Sequence, residues 1–100
     1  MNNTKWTEIF KAFYYGAELV GGPLVPWTTK QLSGFVYSDN TWTHFGVGME
    51  DSKEIDWLQI RLTEENREFV LENLRKIHVP GEIFEDCVIV YGYRTDVDYI

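Results

Sequence analysis

The side chains able to do chemistry in this chain are few: His44, His78, Cys87 and a cluster of carboxylates, Glu50, Asp51, Glu54 and Asp56. A zinc site needs His and Cys at short spacing. The two histidines are far apart in sequence and neither belongs to an H-E-x-x-H pattern, so no metal ligand set is expected. His78 follows Arg75 and Lys76 at the end of a helical pattern, where cations suit the negative end of the helix dipole. The carboxylate cluster could hold Ca²⁺ through its oxygens. It lacks the D-x-D-x-D-G order and Lys53 stands within it, so a solvated turn accounts for it. Cys87 opens the β-branched run Cys87-Val88-Ile89-Val90 and is expected as a buried structural thiol. A nucleophilic thiol would need exposure and a partner base. Gly21-Gly22 precedes no Gly-Lys-Ser/Thr, and neither a G-x-S-x-G elbow nor a dinucleotide fingerprint occurs. No catalytic residue, metal or cofactor is therefore expected.

What remains is a surface. Trp42 and His44 fall on one side of an alternating segment, and Trp57, Gln59 and Arg61 on one side of another. If those two strands pair, the five residues share a face. Trp and Arg are enriched at binding hot spots. With the acids Glu50, Asp51, Glu54 and Asp56 beside it, this face is the expected partner-binding site. The opposing arrangement has the first helix covering the same face, with Trp6, Phe10 and Phe13 packed on it.

The elements that would position these residues follow from periodicity. Trp6, Ile9, Phe10 and Phe13 recur at i, i+3, i+4, i+7, a helical face capped by Asn3 or Thr4. This helix ends at Gly16 or runs on to Leu19. Residues 20–30, broken by Gly21-Gly22-Pro23 and Pro26, are an ordered connection rather than a free linker, because Leu24, Val25 and Trp27 are apolar. Three strands are expected over 31–38, 42–49 and 54–62, with turns at Ser38-Asp39-Asn40-Thr41 and Glu50-Asp51-Ser52-Lys53. In the third, Asp56, Leu58, Ile60 and Leu62 share one face. Thr63 caps a helix over 63–78 whose stripe is Phe69, Val70, Leu74 and Ile77, and Val79-Pro80-Gly81 stops it. A fourth strand is expected over 84–94, followed by an acidic tail that pairs or frays. The fold class is α+β: one domain over 1–100, a four-stranded, mostly antiparallel sheet in α-β-β-β-α-β order, and two helices.

The net charge of −7 is unevenly spread. Through residue 49, Glu8, Glu18 and Asp39 balance Lys5, Lys11 and Lys30; from residue 50 on, 13 acids face 6 bases. That half carries the whole excess. Nucleic-acid binding through phosphates is disfavoured, and a basic protein partner is favoured because complementary fields speed encounter. Acidic charge that serves solubility alone is the plainer alternative. No apolar run approaches the ~20 residues of a membrane span. Met-Asn-Asn-Thr-Lys-Trp also lacks the plan of a signal peptide. The cytoplasm is the expected compartment.

Asn3-Thr4-Lys5-Trp6 with Phe10, Asp39-Asn40-Thr41-Trp42, and Ile55-Asp56-Trp57-Leu58 resemble segments of small acidic bacterial proteins without an assigned activity. In size and charge the chain also resembles immunity proteins of contact-dependent inhibition and other polymorphic toxin systems. The resemblance implies a cytoplasmic, non-enzymatic inhibitor that binds one cognate toxin domain, often a nuclease. Two alternatives stand beside it: a small-molecule-binding or enzymatic domain using the Trp42/His44/Trp57/Arg61 face, and an interaction subunit of a bacterial complex. The oligomeric state is left open by the sequence.

Overall fold

A computed structural model describes residues 1–45 and 52–100. Helix α1 spans Asn3–Phe13, strand β1 Trp27–Gln31, β2 Val36–Asp39, β3 Ile55–Arg61, helix α2 Arg67–Ile77, β4 Gly81–Ile83 and β5 Cys87–Tyr91. The five strands form one sheet in the order β2-β1-β3-β5-β4, every neighbour antiparallel. The α+β class holds, with five strands rather than four.

The differences have local causes. The expected strand over 31–38 is the far half of a hairpin. Gly34, at φ 97°, turns the chain, and Gln31 N–H closes on Phe35 O at 2.8 Å. β1 thus lies inside the segment expected as a connection. Trp27-Thr28-Thr29 is good strand sequence, overshadowed by the prolines before it. The expected strand over 84–94 forms only as β5, because Glu85-Asp86 make a two-residue turn closed by Phe84 N–H to Cys87 O, which folds it back on β4, a strand the Val79-Pro80-Gly81 stop conceals. The helix after β3 therefore leads to β4, and β5 inserts between the two parallel strands β3 and β4. The expected strand over 42–49 is not seen in its described part. Trp42–Phe45 is a turn, with Phe45 N–H donating to Trp42 O, and residues 46–49 lie outside the described residues.

Helix α1 is capped by Asn2, one residue before the expected cap, whose side chain accepts from Lys5 N–H at 3.0 Å. Past Phe13 the helix widens into a π turn over Tyr14–Glu18, which carries it to Leu19. At the other helix, Thr63 does the expected work in a reciprocal form. Its hydroxyl accepts from Asn66 N–H at 3.2 Å, and Asn66 Oδ1 accepts from Thr63 N–H at 2.8 Å. Regular α geometry begins only after that turn, at Arg67. His78 ends the helix in the left-handed region, at φ 66°. The tail pairs: Ile100 N–H donates to Val79 O and Gly81 N–H to Asp98 O.

Both helices lie on one face of the sheet. Trp6, Ile9 and Phe13 of α1 and Val70, Leu71 and Leu74 of α2 bury against Trp27, Leu58, Ile60, Val88 and Val90. Trp42 joins them, 1% exposed, packed on Phe13 and Phe45 with its Nε1–H on Val25 O at 2.9 Å. A register shift between Lys30 and Gln31 opposes Lys30 to Trp57 and Gln31 to Ile55, which leaves Asp56 as the extra residue of a β-bulge. The bulge reverses the alternation, so Ile55 and not Asp56 joins Leu58 and Ile60 in the core. Gly92 follows from the same close approach: a Cβ there would stand 2.2 Å from Ile55 O.

The polar residue that matters most to this packing is Asn66, which is fully buried. Besides its exchange with Thr63, its Nδ2 donates to Leu24 O at 2.9 Å and to Arg61 O at 3.0 Å. Thr63→Ala should lower stability by roughly 0.5–2 kcal/mol. Asn66→Ala, which strands the carbonyls of Leu24 and Arg61 as well, should cost more, about 2–4 kcal/mol. Chemical denaturation of the two variants checks the order, and equal midpoints would show that the amide bonds are replaced by water.

Candidate functional site

The face of the sheet away from the helices presents two rows of side chains. One runs Ser38, Thr28, Gln59, Ile89, Glu82 and the other Val36, Lys30, Trp57, Tyr91. Arg61 and Cys87 stand opposite each other at the end of β3 and the start of β5. This face has mixed character. Trp57, Gln59 and Ile89 are half-buried, Arg61 and Val36 exposed. Lys30 Nζ pairs with Asp56 Oδ2 at 3.0 Å, so the bulge carboxylate is spent on a neighbour. Arg94 lies over the Tyr91 ring at 4.9 Å and is held by both oxygens of Asp96.

At one end of the face, where β1 and β5 begin and β2 and β3 end, a cavity of about 650 Å³ opens. Thr28, Ser38, Asp39, Asn40, Gln59, Arg61, Asp86 and Cys87 supply its polar lining. Arg61 has no side-chain partner among the described residues, so its five donors are available to a ligand. Asp39 is the opposite case. Its carboxylate accepts from the backbone N–H groups of Asn40 and Thr41, the Thr41 and Tyr37 hydroxyls, and His44 Nδ1–H. The bond from His44, and then that from the Thr41 amide, hold its pKa well below the usual carboxylate range. The same carboxylate raises Tyr37, chiefly through the hydroxyl hydrogen bond. Asp39 is thus an ionised anchor for the Ser38–Phe45 loop, with its lone pairs committed. Burial, and then the nearby charge of Asp86, push the Cys87 thiol up, away from the reactive thiolate.

The expected site residues are divided by this geometry. Trp57 and Arg61 share the open face, with Gln59 between them. Trp42 does not: it sits in the core on the helix side, because its segment turns under β1 instead of pairing with β3. His44 is exposed and bonded to Asp39. Glu54 is exposed in the short 3₁₀ turn Ser52–Glu54, and its carbonyl accepts from Leu32 N–H. Asp56 is ion-paired, and Glu50 and Asp51 lie outside the described residues. The first helix covers the opposite face from Trp57. Cys87 is half-buried at the cavity wall rather than in the core, because its β-branched run alternates between faces and only Val88 and Val90 point inward. Asp39, Ser38 and Thr28 were not singled out by sequence. The Asp39-Asn40 signal identified a turn, and only the register of β1 on β2 brings that turn beside Gln59 and Arg61.

Among the described residues no group of three or more His, Cys, Asp and Glu is arranged to hold a metal ion. No described helix is long and apolar enough to cross a membrane. The chain belongs to a family of unknown function, DUF6678, whose model matches residues 1–96. Neither the curated proteins nor the solved structures give a match.

The His44–Asp39 bond sets a pH signature. A carboxylate with a depressed native pKa adds stability above its unfolded pKa of about 3.9, and that contribution is lost as pH falls through the lower native value. An NMR carboxyl titration should show Asp39 still ionised below the usual carboxylate range. His44→Ala should move its inflection up, and the stability difference between the two proteins should vanish toward the acid end. An Asp39 inflection unchanged by His44→Ala would assign the shift to the backbone amides alone.

Proposed function

We propose that this protein is a non-enzymatic binding protein that docks a basic protein partner on the open face of its sheet, as an immunity-type inhibitor of a toxin domain. The observation that carries this reading is the uncovered face. Both helices lie on the other side, and among the described residues no element lies over Trp57, Gln59 and Arg61, which stand together. An aromatic and an arginine, half-buried and exposed respectively, are the residue types that anchor protein interfaces. Exposed Glu54 and Asp86 and half-exposed Glu82 belong to the acidic half and sit at the ends and rim of this face. A cationic cleft, such as a nuclease uses to hold its substrate, is the partner surface such charge suits. The state of Asp39 and Cys87 agrees with a binding role, since one is committed to its own loop and the other is held in its unreactive form. The chain's place in the cytoplasm belongs to the same proposal.

The cavity favours a second reading, a small polar ligand held by Arg61, Gln59 and Thr28. Amide-shift mapping separates the two. A protein partner perturbs the rows through Trp57, Ile89 and Tyr91; a small ligand perturbs only the cavity end.

With a basic partner purified from the native host, the contributions should divide. Reversing Glu54, Glu82 and Asp86 to Lys should slow association and flatten its salt dependence, because screening acts over about 8–10 Å near physiological ionic strength. Trp57→Ala should instead speed dissociation, with a loss of ~2 kcal/mol or more. Co-expression with the partner should protect cells from it. Binding kinetics indifferent to both changes would remove the open face from the interface.

A further inference from the structure

The two edges of the sheet are finished differently. At the β4 edge the tail covers the start of the strand. Gly81 N–H donates to Asp98 O at 3.1 Å, and Pro80 and Tyr99 form a bridge. At the β2 edge no described residue takes the outer backbone groups.

Which groups those are follows from the register. Gln31 N–H donates to Phe35 O, so Gln31 and Phe35 are a hydrogen-bonded pair. In an antiparallel ladder such pairs alternate. Thr29–Tyr37 and Trp27–Asp39 are then hydrogen-bonded too, and the N–H and C=O of Val36 and Ser38 point away from β1. Apolar side chains crowd this edge: Leu32, Phe35 and Val36 are each more than half exposed, and Tyr37 is 39% exposed. Neither proline nor lysine, the residues that commonly protect an edge, occurs in β2.

We propose that this edge joins a second copy of the chain, β2 to β2, antiparallel about a two-fold axis at Tyr37. Val36 then faces Ser38 of the partner subunit, and Ser38 faces the partner subunit's Val36. Each of the two pairs exchanges two hydrogen bonds, so every outward group is satisfied, and two five-stranded sheets become one. Charge selects a second copy over the basic partner. Residues 1–49 are neutral, three acids against three bases, and the excess lies beyond them; β4, the turn after it and the tail hold Glu82, Glu85, Asp86, Asp96 and Asp98 against Arg94 alone. Two copies meeting at β2 bring their β1–β2 hairpins together, each with one base, Lys30, against one acid, Asp39, and hold β4 and the acidic tail at the far edges. A cationic partner is drawn to the other half and leaves this edge free.

Sedimentation equilibrium should give twice the 11.8 kDa chain mass. Exchange of the Val36 and Ser38 amides should slow as concentration rises. Val36→Pro removes an outward N–H that the chain itself does not use, a placement proline tolerates on an edge. It should raise the dimer dissociation constant about tenfold or more, with an unchanged circular dichroism spectrum. If that variant unfolds, Val36→Lys, a charge on an exposed side chain of the same edge, decides in its place. A monomer at millimolar concentration, or a dimer that survives the folded variant or dissolves with Glu82→Lys on the β4 edge instead, overturns the proposal.

Discussion

Three consecutive backbone carbonyls hold this fold together. Leu24 O accepts from the Asn66 side chain, Val25 O from Trp42 Nε1–H, and Pro26 O from Arg61 N–H. The donors come from the β3–α2 corner, from the turn after β2, and from β3. One short extended segment is thereby tied to three parts of the chain. Two of its neighbourhood's amides are missing, at Pro23 and Pro26, so the segment offers acceptors and few donors. A buried carbonyl without a donor costs about 1–3 kcal/mol. Asn66 and Trp42 are therefore not optional fillings of the core. They are the only described side chains that bring donors to those atoms, and both are fully or almost fully buried in doing so.

This clamp fixes which face of the sheet can do anything. With Trp42 committed to Val25, its turn lies under β1 on the helix side, where Phe13, Phe45 and Trp27 pack around it. The large aromatic volume gathers there, and the other face is left with one aromatic pair, Trp57 opposite Tyr91, and with Val36 and Ile89 among polar residues. The bulge at Asp56 sharpens the division. Without it, strict alternation would send Ile55 out beside Trp57 and draw Asp56 inward against Leu58. With it, Ile55 is buried and Asp56 pairs with Lys30 at the surface.

Much of this was legible in the sequence, and what was not has definite causes. The 54–80 unit is legible because its signals are local: a period-2 run that holds from Trp57 on, a capping Thr63 and the Val79-Pro80-Gly81 stop. Trp57, Gln59 and Arg61 were rightly grouped, since alternation within a strand needs no knowledge of its partners. Trp42 and His44 were wrongly added to them, because that step rested on a pairing between strands, which is set by long-range contacts. Asn66 gave no signal: an Asn in the first turn of a helix reads as a solvated polar residue until Leu24 and Arg61 are brought over it. Cys87 shows the limit of composition. A β-branched run reads as a buried strand, whereas in a sheet with helices on one face only the alternate residues Val88 and Val90 are buried.

The charge asymmetry and the topology point the same way. Sheet order places β2 and β1, both from the neutral half, at one side, and β5 and β4, from the acidic half, at the other. A field concentrated on one side steers a cationic partner to that side and is weak at the opposite edge, several strands or about 20 Å away at ~4.8 Å per strand. That distance exceeds the screening length at physiological salt, so the two ends of the sheet act almost independently. The open face spans both. Its acidic end attracts, its Trp57 row supplies apolar contact, and its neutral edge, with Val36 and Ser38 turned outward, is a separate backbone surface that the field neither strengthens nor blocks.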